Sequence, residues 1–303
     1  MAKRKAKSKR YAVQRHIELE GMNNQSVNMI DVPMCLSETN HRLYRQSRVY
    51  RAKVSSTESI PRTGFKYNVY VLRDTWMMQK AYQLAKDTFD KNMTEERADI
   101  STTNMARWQD FRINLNPKSS GVVLASPIIR SNGTFGATTL GNGEFELSKV
   151  YAENGTSYTF GFYGDASQWS IVEQYDRTAD VDSKPSNTVS GADINPYGAL
   201  DDDNQQAARN DLQNLGNQPP YDRDSLDGDK LFRRVATLGA TNDGTSKTTT
   251  GFFDAPLGLI LIETVGDQAS TNYQLEVEVQ SGDYKGIHGS DYIDIKKFGH
   301  RRA

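Results

Sequence analysis

The sequence predicts an all-β fold: a single jelly-roll β-sandwich with one inserted helix and long loop insertions. Three observations carry that prediction. Short segments rich in β-branched and aromatic residues recur between turn residues along the chain. Only one segment has convincing helical periodicity, so the regular alternation of helix and strand that an α/β fold requires is missing. The chain has 303 residues, 25% of them charged and 10% aromatic, which suits a globular chain with a sizeable core rather than a disordered one.

The elements follow in order. Arg48–Val54 (RVYRAKV) puts Tyr50, Ala52 and Val54 on one face and Val49, Arg51 and Lys53 on the other. Tyr67–Leu72 (YNVYVL) is β-branched and aromatic. Asp74 or Thr75 can then cap a helix over Trp76–Asp90, with Met77, Ala81, Leu84, Ala85 and Thr88 at helical spacing on its packed side, and Thr94–Ile100 adds a further turn. Trp108–Leu115 (WQDFRINL) alternates as a strand does. Gly121–Ile129 reads as a buried run that ends at Pro127 and a turn at Ser131-Asn132-Gly133. Ser157–Tyr163 and Gln168–Gln174, separated by Gly164-Asp165-Ala166, read as a hairpin. Leu257–Thr264 (LGLILIET) is a strand buried on both faces. Tyr273–Gln280 alternates Tyr273, Leu275, Val277 and Val279 against Gln274, Glu276, Glu278 and Gln280, the pattern of a half-buried antiparallel strand. Roughly nine or ten such segments span the chain, which suits one roll; a double jelly roll needs about sixteen strands.

Charge divides the chain further. Net charge is only -1, yet the first fifteen residues hold seven Lys or Arg and no acid. Residues 1–53 carry twelve bases and four acids, and residues 177–230 carry eleven Asp and five bases. The expected organisation is a basic, disordered arm at 1–15, then a first part of the roll at 16–176 with the helix inserted at 75–90. An acidic surface insertion at 177–230, C-terminal strands of the same roll at 231–295 and a basic tail at 296–303 complete it.

Lys3, Arg4, Lys5, Lys7, Lys9, Arg10 and Arg15 repel one another and are suited to phosphate neutralisation on a nucleic acid. A solubilising tail or a localisation signal has the same composition. Arg42, Arg45, Arg48 and Arg51 interleave with Tyr44 and Tyr50, which suits phosphate contact and base stacking; an ordinary exposed strand face has this pattern too.

Other chemistries are not signalled. The one cysteine, Cys35, excludes an internal disulfide framework and a thiolate zinc cage, and beside Pro33 and Met34 it reads as a packed small residue. His16, His41, His288 and His300 form no metal-ligand spacing. Gly239–Lys247 spaces two glycines as a P-loop does but ends in Thr-Ser-Lys, without the required Lys-Ser/Thr order. No nucleophile elbow occurs. Asp201–Asp203 and Tyr221–Lys230 hold oxygen donors at short spacing but lack a complete calcium loop. No apolar run approaches the ~20 residues of a membrane span, and the basic start leads into no apolar stretch, so it does not read as a secretory signal. The expectation is a non-enzyme without metal or cofactor.

The tip MAKRKAKSKR, the strand series from Arg48 to Gln280 and the segment GFFDAPLGLILIE (251–263) together resemble the jelly-roll major capsid proteins of small icosahedral viruses, particularly those with single-stranded DNA genomes. The resemblance implies a homo-oligomeric shell in a virion, assembled in a host cell. It also implies packaging of viral nucleic acid by an internal basic arm and admits minor capsid proteins as further partners. On this reading the acidic insertion faces outward, away from the phosphates. The rival from another class is a non-viral carbohydrate- or ligand-binding β-sandwich, lectin-like or adhesin-like, with a calcium-binding Asp-rich loop. A hydrolase on the same scaffold would need clustered His or carboxylate ligands, and the histidine positions do not supply them.

Overall fold

In the computed structural model the described residues are 12–22, 27–56, 66–99, 108–113, 122–124, 127–132, 136–139, 148–151, 157–162, 168–172, 175, 231–240, 246–265 and 273–293. The basic tip before Ala12, the acidic segment 177–230 and residues 296–303 lie outside them. The described elements are β1 (His16–Met22), β2 (Val27–Asp31), α1 (Val32–Asn40), β3 (Arg48–Ser56), β4 (Lys66–Leu72), α2 (Trp76–Asp99), β5 (Val122–Leu124), β6 (Ile128–Asn132) and β7 (Gly136–Thr139). There follow β8 (Lys149–Tyr151), β9 (Ser157–Gly161), β10 (Gln168–Ser170), β11 (Phe232–Ala240), β12 (Ser246–Lys247), β13 (Phe253–Pro256), β14 (Leu259–Val265), β15 (Tyr273–Val279) and β16 (Gly289–Asp291).

Eight of these strands form the roll. One sheet has the order β1-β15-β3-β13, and β16 takes up the side of β3 that β15 leaves. The other has the order β12-β11-β4-β14-β2-β5. The pairs are nested and antiparallel: β1 with β15, β2 with β14, β3 with β13 and β4 with β11. This is one long antiparallel ribbon wrapped on itself, closed by β15 against β3 and β14 against β4, which is jelly-roll connectivity. The predicted fold class is therefore the observed one.

The alternation read from the sequence decides what fills the sandwich. Tyr50, Ala52 and Val54 of β3 point inward with Leu275, Val277 and Val279 of β15. They meet Val69 and Val71 of β4 and Ile260 and Ile262 of β14 from the other sheet. Each Val, Leu or Ile among them contributes about 1.5–3 kcal/mol by leaving water.

The outer face of the second sheet is covered as well. Met29, Leu72, Leu259 and Leu261 pack against Met77, Met78, Ala81 and Tyr82 of α2. Phe111, Ile113, Phe160 and Phe162, from the connection between β4 and β11, complete that layer. A third layer thus explains why β14 is apolar on both faces. Thr75 Oγ1 accepts from the Met78 amide, as an N-cap does, and the helix runs on to Asp99, absorbing the separate turn expected after Thr94.

Several expectations are corrected. Leu84 is 41% exposed, because the buried stripe of α2 is rotated toward Met78 and Tyr82. Trp108–Ile113 forms no strand. Its side chains from Asp110 to Ile113 are all buried, and side chains of Gln46 and Ser148 take its backbone bonds in place of a ladder. β9 and β10 pair in parallel rather than as a hairpin, and Phe160 and Trp169, opposite each other in that register, stack at 5.6 Å. Ser131 and Asn132 belong to β6 rather than to a turn. Leu257 and Gly258 form the turn before β14, both at positive φ, so the strand starts two residues later than expected.

Helix α1 has no counterpart among the expectations. Asp31 caps it by accepting from the Met34 amide at 2.9 Å, Pro33 occupies its first turn, and His41 ends it in the left-handed region. Its face from Val32 to Ser37, including Cys35, is buried.

The turn at Gly258 gives a test of this packing. Gly258 has φ +66, and a Cβ there would lie 2.3 Å from Pro33 Cδ and 2.9 Å from Tyr50 Cδ2. Gly251 has φ +76 but open space around it. Gly258→Ala is expected to cost about 3 kcal/mol from strain plus overpacking, and Gly251→Ala about 1 kcal/mol from strain alone, by urea denaturation.

Candidate nucleic-acid interface

The end of the roll where β1 and β3 begin and where β13 and β15 finish carries α1 and the loops 41–47 and 280–288. The described chain also starts there. Gln14 lies beside the end of α1: its amide donates to Asn40 Oδ1 at 2.8 Å, and Asn40 Nδ2 donates back to Gln14 O at 2.9 Å. The Asn40 side chain thus pairs with Gln14 as a neighbouring strand would. Val13 sits against Gly286, where a Cβ would come within 2.7 Å of it. The basic residues 3–10 are covalently joined to this end.

Tyr284–Ile287 makes a two-residue turn with reciprocal backbone bonds of 3.0 Å. Lys285 at φ 52 and Gly286 at φ 94 give it the twist that suits a hairpin. Around it the bases of the 42–48 segment gather. Arg42 Nη1 donates to Lys285 O at 3.4 Å, the Arg45 amide donates to Tyr284 Oη at 3.1 Å, and Arg48 lies over the Tyr284 ring at 3.7 Å. Lys285 Nζ donates to Leu43 O and lies 5.7 Å from the Tyr44 ring. Arg42, Arg45 and Lys285 are exposed.

Tyr44 and Tyr50 serve this cluster from beneath. Both are fully buried, so the expectation that they stack on bases is corrected. Tyr44 Oη donates to Lys285 O at 3.2 Å, and Tyr50 Oη donates to Arg45 O at 2.5 Å. Burial raises the pKa of both phenols, so they remain neutral donors.

The other predicted bases lie elsewhere. Lys3, Arg4, Lys5, Lys7, Lys9 and Arg10 are outside the described residues. Arg51 lies on the outward face of the first sheet, 3.6 Å from Asp254. On that face Lys53 pairs with Glu278, whose carboxyl is held low by the Lys53 hydrogen bond, with His16 and Arg15 adding to the effect. Arg48 also reaches Asp291 at 3.1 Å. The linear run of bases is therefore divided: Arg42 and Arg45 in the loop, with Arg48 at the start of β3, gather around the Tyr284–Lys285 turn, while Arg51 joins an acid-interleaved sheet face. Lys285 is the member that sequence reasoning missed. The signal available was the Tyr-Lys-Gly turn pattern at 284–286.

A buried polar network fixes the 41–47 loop. Arg112 donates to Asp31 Oδ2, and both side chains are about 95% buried or more. Gln46 Nε2 reaches the same carboxylate at 3.4 Å, and its side chain pairs with both the amide and the carbonyl of Ile113, at 2.7 and 3.2 Å. The Gln46 amide donates to Asp110 Oδ2 at 2.8 Å, and Arg45 approaches Asp110 Oδ1 at 3.8 Å. Burial pushes the Asp110 carboxyl up, against the opposing pull of that amide and of Arg112.

Among the described residues, no group of three or more His, Cys, Asp or Glu is placed to hold a metal ion, and no helix is long and apolar enough to cross a membrane. The chain matches no protein-family model, no curated protein and no solved structure.

Arg112→Met is expected to lower stability by about 3–5 kcal/mol, because it leaves the Asp31 charge buried without its cation. Arg45→Ala, which removes an exposed partner at longer range, is expected to cost less than about 1 kcal/mol. Thermal unfolding of the two variants checks the difference.

Proposed function

We propose that this chain is the major capsid protein of a small icosahedral virus, and that it packages single-stranded DNA through a basic arm and the cation cluster to which the arm is joined. One observation carries the reading: residues 1–11, with six Lys or Arg, are attached to the end of the roll that displays Arg42, Arg45 and Lys285. Phosphate neutralisation by both parts would release counterions and bind without reading sequence. The acidic segment 177–230 joins the described chain at Tyr175 and Leu231, which pack in the third layer. Identical copies with complementary surfaces close into shells whose many weak contacts add up.

The basic residues candidate for the nucleic acid are Lys3, Arg4, Lys5, Lys7, Lys9 and Arg10 in the arm, with Arg15, Arg42, Arg45, Arg48 and Arg51 in the body, joined by Lys285. Of the body residues, Arg42 and Lys285 fit best, because their side chains meet carbonyls and rings, whereas Arg45, also exposed, approaches Asp110.

Negative-stain electron microscopy and nuclease protection on the expressed chain, with and without residues 1–11, test the reading. Closed, uniform particles that shield nucleic acid are expected from the full chain. Particles without protected nucleic acid are expected from the shortened one. In filter binding to single-stranded DNA, Arg42→Ala with Lys285→Ala is expected to reduce the salt slope by about 1.4. A chain that stays monomeric at every salt concentration and binds no DNA would refute the proposal.

A further inference from the structure

The network under the 41–47 loop has more carboxylates than cations. Asp31, Glu38 and Asp110 all lie within the field of Arg112, and among the described residues the other cation that approaches is Arg45, which reaches Asp110. Two of the three carboxylates are provided for. Asp31 accepts from Arg112, Gln46 and the Met34 amide, and Asp110 accepts from the Gln46 amide. Glu38 accepts nothing: both its oxygens are shut away from solvent and lack a hydrogen-bond partner. A buried carboxylate in that position holds a proton or forces its surroundings open.

Its place on α1 makes this consequential. Glu38 lies two residues before Asn40, whose side chain clamps Gln14, and three before His41, which ends the helix and touches Trp108 edge-on at 5.5 Å. The charged and titratable groups that face Glu38 are Asp31 at the end of β2, Arg112 of the 108–113 segment and Cys35 one turn earlier on α1. Asp31 repels the ionised form, and Arg112 is already bound to Asp31.

We infer that Glu38 is a proton-operated catch on the N-terminal arm: protonated, it lets the last turn of α1 close so that Asn40 holds Gln14, and on losing its proton to water it opens that turn and releases the arm's anchor. This regulation concerns the arm of the proposed packaging function, but the catch is a property of the isolated chain and is tested without DNA or assembly. Burial first, and Asp31 second, raise the Glu38 carboxyl from 4.5 to about 7 in the closed form. The sign follows. The closed form is fully favoured below about pH 4.5, loses ground as pH rises from there to about 7, and is level above it. Between about pH 6 and pH 8 the open-to-closed ratio should rise about ten-fold.

Amide hydrogen exchange of Gln14 in the full chain, corrected for the intrinsic pH dependence, reads the catch directly. The protection of Gln14 is expected to fall about ten-fold between about pH 6 and pH 8 in the wild type. It is expected to stay unchanged in Glu38→Gln and to be lost at both pH values in Asn40→Ala. Protection that is independent of pH in the wild type, or that falls equally in Glu38→Gln, would overturn the inference. Should Glu38→Gln not fold, carboxyl carbon NMR of the wild type decides. A Glu38 midpoint near 7 supports the catch, and a midpoint within the ordinary range near 4.5 overturns it.

Discussion

One buried guanidinium, that of Arg112, is the constraint on which the basic end depends. It comes from the connection between β4 and β11 and reaches the carboxylate that caps α1. Removing two charges from water is expensive, and the Asp31 carboxylate is supported further by the Met34 amide and by Gln46, whose side chain is held in turn by the Ile113 backbone. That support has a geometric result. The loop 41–47 is tied near its end, by Gln46, to a segment more than sixty residues away in sequence. Arg42 and Arg45 therefore project from a fixed base, and the tyrosines 44, 50 and 284, in edge-on contact at about 6 Å, hold the Lys285 turn against them.

The third layer serves the same end. A jelly roll needs only two sheets, yet here the outer face of β2, β4 and β14 is apolar and is covered by α2 and by aromatic residues from the same long connection. The connection is thus part of the packed structure through Phe111, Phe160 and Phe162. It is also the route by which Arg112 arrives. Packing energy from the apolar layer carries the cost of the buried ion pair, so the two features stand or fall together.

The parts of this architecture that follow a simple period were legible in the sequence. The alternation of β3 and β15 named their inward residues, and the helical stripe of α2 named Met77, Ala81 and Ala85 but missed Met78 and Tyr82 and included Leu84 and Thr88, which are not buried. The doubly apolar LGLILIET stretch correctly implied cover on both faces. Features set by contacts between distant residues were not legible. Asp110 to Ile113 alternate in character, but all four are buried because Gln46 and Ser148 substitute for a partner strand. α1 is short and begins Val-Pro-Met-Cys, and its stability comes from the Asp31 cap and from burial rather than from propensity. Within the candidate interface, composition identified most of the bases. The passage from the 41–47 loop into the outward face of β3 separates Arg51 from Arg42 and Arg45, and a turn distant in sequence brings in Lys285.

Shell formation with a genome-facing basic end is the central claim, and it concerns orientation as much as assembly. Cryo-electron microscopy of particles purified from expressing cells measures both at once. The account predicts a closed shell in which Ala12, Arg42 and Lys285 face the internal nucleic-acid density. A shell with that end turned outward, or an assembly that never closes, would contradict it.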